Sequence, residues 1–290
     1  MSDQPSSPPW STDTWRTSGG AAWSANATRL EAMLEPVLEP LFAEADLCAG
    51  ERILDVGCGR AATTYAAARL VGRGGAVTAV DVSPELIAEA QAGAALGGES
   101  ASIEWIVGDA QVADLGEGVF DAVVSRFGVM FFNDPVAAFS NLRTAARVAG
   151  RLSMATWQPR DACDFQSVGW DAIAAALVAN GYELELPDPA AGPYSFGLDD
   201  HVRAVLTDAG WRDVRVRPVD LPLYYGGPGL SPSDAVETAM AMPGMQTFLG
   251  AYDEDASALA SAALLDAYVP RHDGTGVRLD ASILVTTARA

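Results

Sequence analysis

The segment Arg52-Ile-Leu-Asp-Val-Gly-Cys-Gly-Arg-Ala-Ala62 holds a strand, a sharp turn and the start of a helix within a few residues. Ile53 to Val56 reads as a short buried strand, Gly57 and Gly59 end it, and Ala61 to Leu70 reads as a helix. Gly57 is free to take a positive φ, and the missing side chain at Gly59 lets a ligand lie against the backbone. The helix that follows points unpaired N–H groups at that ligand. A Gly-x-Gly turn has little specificity alone, so its meaning depends on what surrounds it.

Working outward, Gly75 to Asp81 reads as a second buried strand. Ser83-Pro84 then supplies an N-cap and an N1 proline for a helix over 85–95. Ser102 to Val107 reads as a third strand that ends in Gly108-Asp109-Ala110, and Phe120 to Ser125 as a fourth. Asn133-Asp134-Pro135 opens a helix running to about Val148, Gly150 stops it, and Arg151 to Trp157 reads as a fifth strand. This alternation implies a parallel, doubly wound sheet with right-handed crossovers. Upstream, Leu30, Met33, Leu34, Val37, Leu38, Leu41 and Phe42 fall at helical spacing, and Pro36 and Pro40 are expected to kink or split that helix. Residues 1–25 read as an N-terminal tail rich in Ser, Pro and Thr at its start. Trp10 and Trp15 are unusual there, and docking on the domain surface is favoured over closing on a ligand.

Composition narrows the function. The 290 residues carry a formal net charge of -20, which disfavours nucleic acid and anionic membranes as partners. All 18 basic residues are Arg. Without lysine there is no Walker A lysine, no Schiff base and no lysine partner for a catalytic tyrosine. Cys48, Cys58 and Cys163 are scattered and the only histidines are His201 and His272, so no metal pattern forms and a reduced, cytoplasmic protein is expected. The N-terminus has no signal-peptide pattern, and no stretch is long and apolar enough to span a membrane.

Three carboxylates fall at or near strand ends: Asp55, Asp81 and Asp109. Ligands of open parallel sheets bind beyond those ends, so all three are expected to face one crevice. Asp81 suits a ribose diol, Asp109 an amino donor on a purine, and Asp55 the turn or an ammonium group. The chain here resembles a class I S-adenosylmethionine (SAM)-dependent methyltransferase through Leu54-Asp-Val-Gly-Cys-Gly59, Val80-Asp-Val-Ser-Pro84, Gly108-Asp-Ala110 and Phe120-Asp-Ala-Val-Val-Ser-Arg-Phe-Gly128. It is most similar to bacterial small-molecule enzymes of the ubiquinone/menaquinone branch. The resemblance implies a doubly wound, mostly parallel, seven-stranded Rossmann-like α/β sheet with helices on both faces, and SAM as cofactor with S-adenosylhomocysteine as product. It places Gly57 and Gly59 against the methionine part, Asp81 on the ribose, Val82 on the adenine face, and Asp109 and Ala110 on the adenine edge. Ser125, or the backbone beside it, meets the methionine amino group, with Arg126 close by. Where the family often continues Gly-x-Gly-x-Gly, this chain has Arg60-Ala61. Arg60 could point to solvent or to the methionine carboxylate.

The rival reading is a nicotinamide-dependent oxidoreductase, since Gly57-x-Gly59-x-x-Ala62 and Asp81 also fit a dinucleotide fingerprint. Asp55 before the turn, the unused Gly108-Asp109-Ala110 and the lack of lysine weigh against it. A SAM-binding protein without transfer activity is the other alternative. The chain lacks the Asn/Asp-Pro-Pro-aromatic signature after its fourth strand, so a small organic acceptor, methylated on O, N or C, is expected. A homodimer is compatible with this reading.

The expected organisation is a SAM-binding core over 26–157, a cap insertion over 158–198, sheet completion by 199–221 and 279–290, and a second cap insertion over 222–278. Both insertions leave the sheet on the cofactor side. Tyr194, Tyr224, Tyr225 and Trp157, with Met240, Met242 and Met245, are candidate pocket walls or core. Arg126 and His272 are the catalytic candidates, His272 as a base if its Pro270-Arg-His-Asp-Gly274 turn folds inward and as a surface residue otherwise.

Overall fold

In a computed structural model, which describes residues 12–93, 100–184 and 192–290, the strands form one seven-stranded sheet of order β3-β2-β1-β4-β5-β7-β6. β1 (Arg52–Val56), β2 (Ala76–Asp81), β3 (Ser102–Val107), β4 (Phe120–Arg126) and β5 (Ala146–Trp157) run parallel. β7 (Arg278–Arg289) is antiparallel to both β5 and the edge strand β6 (Arg212–Tyr224). The first five strands give the parallel, doubly wound arrangement expected from the alternation, and with the antiparallel β7 the sheet is the mostly parallel, seven-stranded one that the resemblance implies.

Side-chain alternation builds a layer on each face. Ile53, Val77, Ala122 and Val124 meet Ala67, Ala68 and Val71 of α3 (Ala62–Val71). Leu54, Val56, Val80 and Val123 point the other way, toward Leu30 and Leu34 of α1 (Gly20–Leu34) and Phe139 and Leu142 of α5 (Pro135–Ala145). Burying such a side chain contributes about 1.5–3 kcal/mol, which favours this register over one slipped by a residue. Ser83 caps α4 (Pro84–Gly93), accepting from the Leu86 amide at 3.3 Å, and Asp134 caps α5, accepting from Ala137 at 3.0 Å.

Several boundaries differ from the sequence reading. The first long helix starts at Gly20, preceded by helical turns over Thr12–Thr14 and Trp15–Gly19, so helical structure is present inside the expected tail. Trp15 is docked, its ring 5.0 Å from Phe131 and 5.9 Å from Trp23, whereas Trp10 lies outside the described residues. Pro36 splits the helix, a 3-10 turn at Glu35–Val37 leading into α2 (Leu38–Ala45). α5 ends at Ala145 and β5 follows at once, because a register shift beside Phe120 and a positive φ of 63° at Ala149 take up residues 146–150 within the strand.

Beyond the sheet, α6 (Asp164–Ala179) lies against β7 and against α10 (Glu254–Tyr268), which also meets α8 (Pro232–Met240). At Gly169 the helices approach so closely that a Cβ would sit 3.0 Å from Leu264 Cδ2 and 3.1 Å from the Tyr268 hydroxyl. α7 (Asp199–Asp208) packs on α5 and β6, and α9 (Pro243–Leu249) joins α8.

Candidate active site

The turn after β1 hangs on its neighbours through backbone. The Gly57 and Cys58 amides both donate to the Val80 carbonyl, at 2.9 and 3.1 Å. Gly57 has φ of 68°, and a Cβ on it would lie 2.6 Å from Gly128 Cα, so turn and β4 end meet backbone to backbone. Gly59, with φ of 53°, is different: a Cβ there would meet nothing within 4 Å. One residue lets the turn pack, and the other leaves space for a ligand.

Asp81 closes β2 and accepts from the Gly59 amide at 2.8 Å and the Ser83 amide at 2.9 Å, one on each carboxylate oxygen. Each oxygen keeps a lone pair for a ligand hydroxyl. Burial raises the Asp81 pKa, opposed by these amides. Asp109 accepts from the Gln111 amide at 2.9 Å through Oδ1, leaving Oδ2 open among the described residues. Ala110 is buried, its carbonyl taken by Asn141 at 2.9 Å. Gly57, Gly59, Asp81, Val82, Asp109 and Ala110 all line one cavity.

Asp55, Ser125 and Arg126 stand differently. Asp55 is fully buried on the α3 face of β1, where Thr64 donates to its Oδ2 at 2.6 Å and its Oδ1 has no hydrogen-bond partner. Burial lifts its pKa to about 7, against the Thr64 hydrogen bond and the nearby Arg126 charge. Ser125 is also fully buried and donates to the Val56 carbonyl at 2.7 Å, bracing the turn rather than lining the cavity. Arg126 does line the cavity, but its guanidinium is held by Glu31 at 2.6 Å and the Leu34 carbonyl at 3.0 Å. Arg60, 32% exposed, pairs with Glu89 at 2.8 Å and is not part of the cavity wall. His272 is exposed, accepting from the Gly274 amide at 3.3 Å in the turn before β7, and is not part of the cavity wall. Of the two readings of this turn the surface one is found, with Asp273 tied to Tyr224 at 3.0 Å and to the Thr275 amide at 2.8 Å.

The same cavity continues between the two insertions. Phe127, Trp157, Phe165 and Tyr225 form a column of rings with centroids 4.3, 5.3 and 5.1 Å apart and successive interplanar angles of 9°, 11° and 27°. Phe127 reaches the column from a backbone with φ of 64°, a conformation strained for a bulky residue. Trp170, Tyr194, Met242 and Met245 add to the wall, whereas Tyr224 and Met240 do not. Trp15, Trp23 and Thr12 close it on the N-terminal side. Glu31, Phe127, Phe165 and Trp170 escaped the sequence reading, because only the packing of distant segments brings them here. Among the described residues no group of three or more His, Cys, Asp or Glu is placed to hold a metal ion.

Residues 53–150 match the family described as a methyltransferase domain. Nocamycin O-methyltransferase of Saccharothrix syringae is 30% identical over 203 residues, 68% of this chain and 72% of that protein. The chain belongs to the SAM-dependent methyltransferases. Aklanonic acid methyltransferase DauC of Streptomyces sp. (strain C5) is 36% identical over 104 residues, 36% of this chain and 47% of its own. An uncharacterised Mycobacterium tuberculosis protein (strain ATCC 25618 / H37Rv) is 34% identical over 187 residues, 64% of this chain; the match spans 63% of that relative's length, less than two thirds. The fold is shared with the YcgJ protein of Bacillus subtilis, at a TM-score of 0.54 and 16% identity over 87% of this chain and 97% of that one. It is shared equally with the [4+2]-cyclase SpnF, at 0.52 and 18% over 87% and 79%, so these likenesses speak for the fold alone.

The residues of this methyltransferase fit the family's cofactor. The open face at Gly59 and the spare lone pairs of Asp81 and Asp109 match a chain laid on backbone, a ribose diol and an amino-bearing purine. When bound, SAM supplies a methyl group made electrophilic by the sulfonium. Transfer in this family requires an acceptor held about 3–3.5 Å from that carbon, in line with the leaving sulfur, and water kept out. The Cys58 thiol is no competing nucleophile: burial, then the Asp55 and Asp81 carboxylates, push its pKa well up.

Proposed function

We propose that this protein moves the methyl group of SAM to an O, N or C atom of a small organic acceptor of the secondary-metabolite kind. The observation that carries the reading is the single cavity, which joins the glycine turn and its two acidic partners to an aromatic chamber built by the segments after β5 and β6. Arg160, Phe165, Gln166, Trp170 and Tyr194 come from the first segment and Tyr225, Met242 and Met245 from the second, so both act as a cap over the acceptor. The names of the nocamycin and aklanonic acid enzymes support an acceptor of this class. Kinship with the ubiquinone/menaquinone branch is supported by the motifs over 54–59, 80–84, 108–110 and 120–128 together. The net charge of -20 argues against nucleic acid as substrate.

Asp81, Val82, Asp109 and Ala110 then read the nucleoside, and Gly57 and Gly59 admit the methionine part. Arg126, fixed by Glu31, positions the wall behind it instead of acting on the acceptor. Calorimetric titration with S-adenosylhomocysteine, beside NAD and NADP, tests the cofactor half. Tight homocysteine-adduct binding is expected, weakened roughly 100-fold in Asp81→Ala by loss of charge-assisted hydrogen bonds. Saturable NAD binding with no response to the adduct would refute it. Incubation with isotope-labelled SAM and a small-metabolite extract tests transfer, and absence of label in every metabolite would leave a silent SAM-binding protein.

A further inference from the structure

Arg160 and Gln166 form the polar corner of an otherwise apolar acceptor wall. Arg160 lines the cavity half-buried, and among the described residues its guanidinium has no hydrogen-bond or ion-pair partner. The cavity's other cation, Arg126, is already neutralised by Glu31. Beside Arg160, the Tyr194 hydroxyl donates to Gln166 Oε1 at 3.0 Å, which turns the amide so that its NH2 remains without a partner among the described residues. A half-buried cation among rings is costly unless an anion joins it.

From this corner we infer, resting on the methyltransferase reading, that the acceptor is a flat conjugated molecule bearing an ionised oxygen acid, a carboxylate or an acidic enolate, which Arg160 and Gln166 hold against the aromatic column. The nearly parallel rings of Phe127, Trp157 and Phe165 suit a flat body. The wall contributed by the two insertions carries no histidine and no carboxylate among the described residues. Its Tyr225 phenol is pushed up to about 12 by burial, so it is a poor proton acceptor. An acceptor that arrives ionised needs no base: an oxygen lone pair forms the new C–O bond, the C–S bond breaks, its electron pair stays on sulfur, and no proton moves.

Calorimetry on the protein loaded with S-adenosylhomocysteine, titrated with 2-naphthoate and with the uncharged 2-naphthamide, tests this. The acid is expected to bind about ten-fold or more tightly than the amide, the range of one charge-assisted bidentate contact. Arg160→Gln removes that preference, while Arg203→Gln, whose guanidinium is paired with Asp199 on the α7 surface, keeps it. With SAM in place of the adduct, mass spectrometry should find methyl 2-naphthoate. Equal affinity for acid and amide, no binding of either, or a preference that survives Arg160→Gln or disappears in Arg203→Gln overturns the inference while leaving the methyltransferase reading standing. Failure of S-adenosylhomocysteine itself to bind overturns both. Thermal melting of Arg160→Gln separates lost binding from lost folding.

Discussion

Ala61 stands with φ of 74° where the family often places the third glycine of its turn, and it is fully buried. A left-handed conformation costs an L-residue about 1–2 kcal/mol. Glycine relieves that, but loses roughly 0.5–1 kcal/mol of chain entropy and about 0.8 kcal/mol of buried methyl. The terms nearly cancel. Ala61→Gly is expected to change stability by less than about 0.5 kcal/mol. Ala67→Gly, in the middle of α3 and equally buried, should cost about 1.5–2 kcal/mol. Urea midpoints of the two variants check this, and equal losses would contradict it. Asp55 gives the residue scale its pH dependence. Its folded pKa of about 7 lies above the unfolded value near 3.8, so the native state holds a proton that the unfolded chain releases between those values. The contribution is fully present below about pH 4 and is lost as pH rises to 7, at about 1.4 kcal/mol per unit. Asp55→Asn keeps an acceptor for Thr64 and removes the titration. Relative to wild type it should therefore gain stability from pH 4 to 7 and level off above, in denaturation curves taken across that range. A flat difference would show that Asp55 is ionised throughout.

At the scale of elements, the contact of α6 with α10 fixes the helix that carries Phe165, Gln166 and Trp170 to the proposed acceptor wall. Gly169→Leu puts a branched side chain where a Cβ alone already lies 3.0 Å from Leu264. Overpacking of this kind costs about 1–3 kcal/mol. It should raise acceptor KM and leave S-adenosylhomocysteine affinity unchanged, because the residues proposed to hold the adduct lie at the ends of β1 to β3. Equal losses of both would mean that the helix pair supports the whole sheet. The same elements show what could be read without coordinates. Strands β1 to β4 were legible because their alternation is local and Ser83 and Asp134 carry their capping chemistry with them. The start of β5 was not, since the bulge that absorbs residues 146–150 is a property of its pairing with β4. Asp81 and Asp109 were legible as strand-end acids. The inward place of the Ser125 hydroxyl was not legible, because a hydroxyl at a strand end serves a neighbouring carbonyl as readily as a ligand. His272 stayed between a surface and an inward reading because a turn's direction is set by partners such as Tyr224, far away in sequence. Arg160 and Phe165 were placed in the 158–198 insertion but not singled out for the pocket, since that role arises only where two distant segments meet.

For the molecule as a whole, a net charge of -20 is a standing self-repulsion that salt screens. Melting temperature is expected to rise by a few degrees between about 10 and 150 mM NaCl, where the Debye length falls from about 30 to 8 Å. A falling melting temperature would mean that ion pairs such as Arg151 with Glu51 outweigh the repulsion. The order of the sheet has a different consequence, for synthesis. β6 touches the sheet only through β7, and β7 is translated after both of its neighbours. On the ribosome, β5 and β6 therefore emerge with open edges and wait for residues 278–289 to slot between them. Such edges are sticky, and Arg212, Arg215, Arg217 and Asp220 along β6 supply charge that discourages wrong partners during the wait. Nascent chains arrested before Arg278 clears the exit tunnel should be cut by protease beyond β5, and become resistant only after β7 is released.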